Sequence, residues 1–274
     1  MIARLTQNGT PPPMLAETHG TTDADPPAGT PIRLGMITPS SNTVLEPVSA
    51  AMLANVPDVS VHFARFRVVR IGLDADSDAQ FAQAPMLEAA ALLADARVAA
   101  ICWNGTAAGW LGLDRDRALC AEITRRTGRA ATSSVLALFE ALRRAGLRRV
   151  GLVTPYLADL QARAIANFAA EGVQVVAERH LDLSDNLDFG AVSEARIAAM
   201  IEDVARAAPE AIVVLCTNLR GAPLVDRMER RLRIPILDSV ATALWGALRA
   251  AGADPARVQG WGVQSWGRLF ADWP

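Results

Sequence analysis

The chain of 274 residues lacks lysine, so its 27 Lys and Arg side chains are all arginine. Without lysine the protein cannot form a Schiff base, which excludes pyridoxal phosphate enzymes and lysine-dependent aldolases. It also cannot form a Walker A phosphate-binding loop, which requires a lysine. The formal net charge of −2 provides no basic field, and this argues against non-specific nucleic-acid binding.

Cysteine and long apolar runs are also scarce. The three cysteines are an odd number, which favours free thiols and a cytoplasmic protein over a disulfide framework. None has a second cysteine or a histidine at metal-ligand spacing, so we predict no metal site. The sequence has no run of 18 apolar residues, and we therefore expect no transmembrane helix.

Short apolar runs alternate with longer segments of helical periodicity from Arg33 onward. This pattern predicts an α/β fold with mainly parallel sheets. Residues 1–31, rich in Pro, Thr, Asp and Gly, are predicted to form a disordered or loosely packed tail. The predicted buried strands are Arg33–Thr38, Val98–Trp103, Arg149–Thr154 and Ala211–Cys216. The predicted helices are Pro85–Asp95, Asp116–Thr127, Val135–Ala145, Leu157–Glu171, Ser193–Ala208, Ala222–Leu232 and Val240–Ala251.

The sequence also contains a weak internal repeat. Residues 35–40 match residues 151–156, and residues 132–146 match residues 238–252. The repeat predicts two pseudo-symmetric Rossmann-like lobes with parallel sheets and the active site in the cleft between them. We predict that residues 32–131 and 240–274 form the first lobe and that residues 132–239 form the second.

Small polar residues follow the predicted strands at their C-termini. Their side chains supply neutral hydrogen-bond donors that suit a carboxylate or an enolate oxygen. Ser, Thr and Asn also cap helices, which is the alternative interpretation of each residue taken alone. As a set in both halves, they predict a binding site for a small carboxylic acid. The set includes Ser41, Asn42, Asn104, Thr106, Ser133, Tyr156, Thr217 and Asn218.

Cys216 is the main catalytic candidate. It ends an apolar strand and precedes a predicted helix that begins near Ala222. The partial positive charge of a helix N-terminus stabilises a thiolate, which would activate this cysteine. The alternative is that Cys216 is a small buried apolar residue. Cys102, inside a strand, and Cys120, in a helix, are predicted to be structural.

Residues 182–188 carry three aspartates and are predicted to form an acidic loop. Asn186, within this loop, is placed to reach the cleft. The neighbouring carboxylates would repel an anionic substrate, so we expect them to point away from it.

Five motifs occur in order along the chain: Thr38-Pro39-Ser40-Ser41-Asn42-Thr43, Asn104-Gly105-Thr106, Thr154-Pro155-Tyr156, Cys216-Thr217-Asn218-Leu219 and Trp266-Gly267-Arg268-Leu269-Phe270. In this order they resemble the aspartate/glutamate racemase superfamily, and within it the maleate isomerase and arylmalonate decarboxylase branch. The resemblance covers residues 33–270. It implies two Rossmann-like lobes and an active site that uses neither a cofactor nor a metal.

The resemblance also implies roles for individual residues. Racemases and maleate isomerases of this superfamily use two cysteines; the second matches Cys216, whereas Gly105 stands in place of the first. Arylmalonate decarboxylase has the same glycine, and its threonine and tyrosine that hold the dicarboxylate match Thr106 and Tyr156. The decarboxylase serine that follows this threonine is Ala107 here, so one donor of its anion pocket is missing.

Two asparagines match the isomerases instead. Asn42 matches the asparagine of the maleate isomerase Pro-Ser-Ser-Asn motif, which favours carboxylate binding. Asn186 matches a second isomerase asparagine. The resemblance therefore includes features of both enzymes.

A single thiol restricts the chemistry. Moving a proton between the two faces of a carbanion is done most readily with an acid on one face and a base on the other. Because Cys216 supplies a thiol on only one face, it suits a reaction that forms its carbanion by losing carbon dioxide. We predict a cofactor-independent decarboxylase of a malonate-type dicarboxylic acid, in which Cys216 protonates an enediolate. We take Gly105 to leave room for the departing carboxylate or a substituent, and we expect Gly105→Cys to add racemising ability.

Two alternatives remain open. With the same fold, the protein would be a maleate-type cis–trans isomerase or another isomerase of the superfamily, with Cys216 as both nucleophile and acid. In a different class, it would be a non-catalytic binder of small carboxylates, with Cys216 a core residue. All three interpretations predict a small mono- or dicarboxylic acid as ligand and no nucleic-acid or membrane partner, and all three allow a homo-oligomer.

Overall fold

The first half of the chain builds one four-stranded sheet. In the computed structural model, which describes residues 31–56, 58–254 and 263–272, its strands run parallel in the order β2-β1-β3-β4. The inner strands β1 and β3 are largely buried, as expected for parallel strands covered on both faces. The strands are β1 (Ile32–Pro39), β2 (Val59–Phe66), β3 (Ala100–Trp103) and β4 (Ala130–Ser133).

The second half of the chain builds a second parallel sheet with the same strand order, β6-β5-β7-β8. Its strands are β5 (Arg149–Val153), β6 (Gln174–Arg179), β7 (Ala211–Val214) and β8 (Ile236–Asp238). The equal order agrees with the internal repeat. The predicted α/β fold with two parallel sheets is confirmed.

Helices follow the strands in both halves, and most lie within three residues of their predicted bounds. The helix predicted over Ala222–Leu232 begins with a 3₁₀ turn, Ala222–Leu224. The α-helices of the described residues are α1 (Leu45–Met52), α2 (Ala75–Ala79), α3 (Gln83–Asp95), α4 (Ala108–Leu111), α5 (Leu113–Thr127), α6 (Ser134–Ala145), α7 (Ala158–Ala170), α8 (Asn186–Ala191), α9 (Glu194–Ala205), α10 (Val225–Leu232), α11 (Ser239–Ala250) and α12 (Arg268–Asp272).

The prediction of a loop over residues 182–188 is wrong at its end, because α8 begins at Asn186. Asp185 is the N-cap of this helix, and its Oδ1 accepts the N–H of Leu187 at 2.9 Å. An aspartate that suggests a loop in the sequence therefore begins a helix, as N-cap residues do.

Helices α6 and α11, which occupy equivalent places in the repeat, pack directly against each other. A Cβ at Gly246 would lie 2.4 Å from the Cβ of Ala137, so the close approach of the two helices requires glycine. Helix α11 also packs on β3 and β4.

The lobe bounds 32–131 with 240–274 and 132–239 stay a prediction. Strand β4, whose pairing partner is β3 of the first sheet, crosses the predicted boundary between residues 131 and 132. The predicted tail, residues 1–31, lies outside the described residues except for Pro31.

Candidate active site

A small cavity lies where β1, β3, β5 and β7 end, with a volume of about 20 Å³. Both halves of the chain contribute to it. Six of the predicted site residues line it, and no charged side chain does so among the described residues. The lining residues are Pro39, Val68, Ile71, Phe81, Trp103, Gly105, Thr106, Ala107, Trp110, Tyr156, Asn186, Phe189, Cys216 and Thr217.

The thiol of Cys216 lies in this cavity and is nearly fully buried. Its Sγ accepts the backbone N–H of Asn218 at 3.3 Å, and the Tyr156 hydroxyl is a second hydrogen-bond partner. Burial nevertheless raises the pKa of the thiol to about 12. The expectation of a thiolate stabilised by a helix N-terminus is therefore wrong: the next helical turn begins only at Ala222, and desolvation outweighs the donors. The raised pKa favours the protonated thiol at neutral pH.

Two hydroxyl groups line the same cavity as this thiol. The Tyr156 hydroxyl and Thr106 Oγ1 form a short hydrogen bond in the buried interior. Trp110 and Phe189 hold the tyrosine ring edge-on, with ring centroids 4.7 Å and 5.8 Å away. Burial raises the pKa of Tyr156 well above its usual value, so the phenol stays a hydrogen-bond donor.

Hydrogen bonds between the two halves fix the turns around the cavity. Asn42 Nδ2 donates to Thr217 Oγ1 at 3.2 Å, and this hydroxyl donates to the backbone oxygen of Asn104 at 2.9 Å. Asn218 Oδ1 accepts the backbone N–H of Thr43 at 2.9 Å. Asn42 and Asn218 are absent from the cavity wall, and their side chains join the two halves.

Asn186 and Ser41 meet at one side of the cavity. Asn186 Nδ2 donates to Ser41 Oγ at 2.7 Å, and Ser41 Oγ donates to the backbone oxygen of Val68 at 2.6 Å. The segments that carry Val68 and Asn186 also pair through an isolated antiparallel bridge between Arg70 and Asp185. Asn186 thus reaches the cavity from the second half, as predicted, while Ser41 supports it from behind.

The space over Gly105 is filled, and the expectation of open room there is wrong. A Cβ at Gly105 would lie 2.0 Å from Cζ2 of Trp103, because the indole ring folds back over the glycine. Glycine is required here by the close approach of the indole ring.

Ser133 is placed outside the cavity wall. It caps α6, where its Oγ accepts the N–H of Leu136 at 3.1 Å, so the capping interpretation holds for this residue. Its neighbour Ser134 instead donates to the backbone oxygen of Gly105 at 2.6 Å. Cys102 and Cys120 are buried, do not line the cavity, and have pKa values that burial raises.

The family model described as arylmalonate decarboxylase matches residues 34–269. The chain belongs to the arylmalonate decarboxylase family. It is 30% identical over 241 residues to a maleate isomerase of Nocardia farcinica, covering 84% of this chain and 94% of that relative. It is 26% identical over 240 residues to an arylmalonate decarboxylase of Bordetella bronchiseptica, covering 86% of this chain and 95% of the relative.

Among solved structures, too, the chain is similar to a maleate isomerase. The Nocardia farcinica maleate cis–trans isomerase, as a cysteine-to-serine mutant with a covalently bound succinylcysteine intermediate, matches with a TM-score of 0.78 at 27% identity. The match covers 87% of this chain and 98% of that chain. As a member of the arylmalonate decarboxylase family, the chain is an enzyme of the isomerase or lyase type.

Sequence reasoning missed the aromatic wall of this family member's cavity. Trp103, Trp110, Phe81 and Phe189 line it, yet aromatic residues in such apolar segments resemble ordinary core residues in the sequence. The available signal was Trp103, which stands two residues before Gly105 and points to the opposite side of β3 from Cys102.

The described residues contain neither a metal-binding cluster nor a membrane-spanning helix. No group of three or more His, Cys, Asp or Glu side chains is placed there to hold a metal ion. Within the same ranges, no helix is long and apolar enough to span a membrane.

Proposed function

We propose that this enzyme decarboxylates a small malonate-type dicarboxylic acid, with Cys216 as the proton donor. The observation that carries the proposal is the combination of one protonated, buried thiol with two hydroxyls in a cavity that has aromatic walls. The position that would hold a second thiol is Gly105, and an indole covers it. A proton donor is therefore available on one side only.

The reaction needs two steps. The bond between the α-carbon and one carboxylate breaks, its electron pair stays on the substrate as an enediolate, and carbon dioxide leaves. The enediolate carbon then takes the proton of Cys216, and the resulting thiolate regains a proton from solvent. The net reaction consumes one proton and converts a dicarboxylate into a monocarboxylate and carbon dioxide.

The surroundings favour both steps. A carboxylate in a cavity without charged side chains is poorly solvated, and losing carbon dioxide spreads its charge over the enediolate. In the proposed reaction the hydroxyls of Tyr156 and Thr106, which line the cavity, donate to the enediolate oxygens. The high pKa of Cys216 keeps the proton on sulfur until a strongly basic carbanion forms next to it.

A second candidate is the cis–trans isomerisation of a maleate-like acid. It is favoured by the relatives named maleate isomerase, one of which carries a succinylcysteine intermediate. Isomerisation through such an adduct needs Cys216 to attack as a thiolate, and burial of the thiol opposes this. The third candidate, a non-catalytic carboxylate binder, also predicts a raised pKa, so the pKa alone does not distinguish it from a proton donor.

One proton NMR assay separates the three candidates. Protein dialysed against a chelator is incubated in deuterated water with maleate, malonate and methylmalonate. We expect loss of carbon dioxide and one deuterium per product molecule from the malonates. Fumarate from maleate without decarboxylation would overturn the proposal in favour of an isomerase. Saturable binding of the acids without turnover would favour the binder, and Cys216→Ala is the matched control.

A further inference from the structure

Trp103 occupies the part of the site that faces the thiol-bearing turn. Its indole is fully buried, and three of its atoms, Cζ2, Cη2 and Cε2, would lie 2.0, 2.4 and 2.6 Å from a Cβ at Gly105. These distances are shorter than any real contact, so the ring and a side chain at residue 105 exclude each other.

The same indole separates two cavities. The cavity beside Cys216 measures about 20 Å³, and a second one of about 30 Å³ lies on the other side. Trp103 and Phe81 line both. The other residues that line the second cavity come from α3, α4 and α5: Met86, Ala108, Leu111 and Leu119 are apolar, and Gln83, Arg115 and Asp116 are polar or charged. Removing the indole would take away the wall that both cavities share and so enlarge the space beside Gly105.

The ring is held firmly in this position. Trp103 belongs to β3, whose backbone pairs with β1 on one side and β4 on the other. Phe66 packs against the indole with ring centroids 5.2 Å apart. A ring fixed by a paired backbone and a neighbouring ring cannot turn aside to admit a bulky group without disturbing the core.

We propose that Trp103 determines substrate specificity by limiting the α-substituent of the diacid to hydrogen or a methyl-sized group and excluding aryl groups. The proposal rests on the decarboxylation proposed above. In this proposal the indole, and not Gly105 alone, sets the limit on the size of the α-substituent.

The first test compares kcat/KM for methylmalonate and phenylmalonate in wild type, Trp103→Phe and Trp103→Ala. The ratio of phenyl to methyl substrate should rise at least about tenfold in Trp103→Ala, because space in an apolar pocket changes specificity by roughly 10–200-fold per group. Trp103→Phe should move the ratio in the same direction by less. Trp245→Phe, a buried tryptophan of α11 that does not line the cavity, is the matched control and should leave the ratio unchanged.

The second test measures folding and does not depend on turnover. Gly105→Ala should lower Tm by several degrees in wild type, because its Cβ collides with the indole. In the Trp103→Ala background the same Gly105→Ala change should cost almost nothing. This coupling shows whether the indole occupies the space in solution.

The outcomes separate the two proposals. A wild type that turns over no malonate ends the proposed decarboxylation, while the coupling of residues 103 and 105 still reports the position of the indole. A wild type that is active on methylmalonate, with a phenyl-to-methyl ratio unchanged in folded Trp103→Ala, overturns the role of Trp103 and leaves the decarboxylation standing. If Trp103→Ala does not fold, an unchanged ratio in Trp103→Phe overturns that role equally.

Discussion

Two equivalent turns of the molecule carry different chemistry. After β3, the N–H of Asn104 donates to Ile37 O at 2.9 Å; after β7, the N–H of Leu215 donates to Val153 O at 2.9 Å. These matched bonds make Gly105 the counterpart of Cys216.

The two turns differ in the last residue of the strand that precedes each of them. Trp103 ends β3 where Val214 ends β7. The large residue folds over its turn and forces a glycine there, whereas the small residue leaves room for a cysteine. The duplicated backbone thus supplies two equivalent positions, and the side chain two residues earlier determines which of them can hold a cysteine.

Removing the thiol from the second turn should produce the largest effect. Cys216→Ala should lower kcat by about 10²–10⁴-fold, the range that a general acid contributes. Cys102→Ala and Cys120→Ala, which remove buried thiols away from the cavity, are the controls and should retain turnover in the NMR assay. A Cys216→Ala enzyme that keeps more than about a tenth of the wild-type rate would exclude the thiol as the proton donor.

The hydroxyl pair should come next. Tyr156→Phe and Thr106→Val each remove one hydroxyl that the proposed reaction uses as a donor to the enediolate, and each should lower kcat by about 10²–10³-fold. Both substitutions should change Tm only slightly, because the hydroxyls serve catalysis more than folding. Thr127→Val, whose hydroxyl bonds within α5, is the matched control. Unchanged kinetics with a lowered Tm would assign both hydroxyls to the support of the core.

Placing a thiol in both turns should have a smaller effect than removing the thiol or the hydroxyls, and its expected result is a gain of racemisation. Gly105→Cys alone should lose stability and at least about tenfold in rate, without racemising, because the indole fills the space of the new side chain. Trp103→Ala combined with Gly105→Cys should make optically pure product lose optical purity and gain deuterium. This replaces the expectation from sequence that Gly105→Cys is sufficient.

Deuterium exchange and racemisation in the single Gly105→Cys variant would show that the indole moves aside to admit the new side chain. Their absence from a folded double variant that binds substrate would show that the two turns do not face one substrate.

The α/β fold and its repeat could be predicted from the sequence because parallel strands buried on both faces form continuous apolar runs. The short edge strands β4 and β8 lack such runs and were missed. Tyr156 and Cys216 could be placed together because the C-terminal ends of neighbouring strands in one parallel sheet meet at the same edge, and Thr106 could be added because the internal repeat predicts that both halves face one cleft.

The features of the site that could not be predicted from the sequence depend on side-chain direction and on burial. The direction of the Trp103 ring over Gly105 follows from packing against Phe66, which no local pattern encodes. The pKa of Cys216 follows from complete burial, which outweighs the donors that the sequence suggested. Likewise, Ser133 and Asn218 look like substrate donors in the sequence, but they are used by a helix cap and by a link between the halves.

The comparison of the halves extends to the helices that follow their last strands. Ser133 caps α6, with the buried carboxyl of Asp116 as its hydrogen-bond neighbour, whereas Asp238 itself caps α11 through Oδ1. Burial raises the pKa of both carboxyls to about 7. Asp116 and Asp238 are thus buried acids with a pKa near neutrality, and they are placed differently around equivalent helix starts.

These two acids should make the protein less stable as the pH rises, which is the smallest of the expected effects. Between about pH 4 and 7 the folded protein keeps protons that the unfolded chain has released, so the free energy of unfolding falls with rising pH through this window. Thermal unfolding should show a Tm several degrees higher at pH 5 than at pH 8. Asp238→Asn, which preserves the cap, should reduce this difference, and Asp116→Asn should reduce it as well. The exposed Asp95→Asn is the control and should leave the difference unchanged. A Tm that rises from pH 5 to pH 8 would mean that both carboxylates are stabilised as anions, and the two helix starts would then be alike in charge.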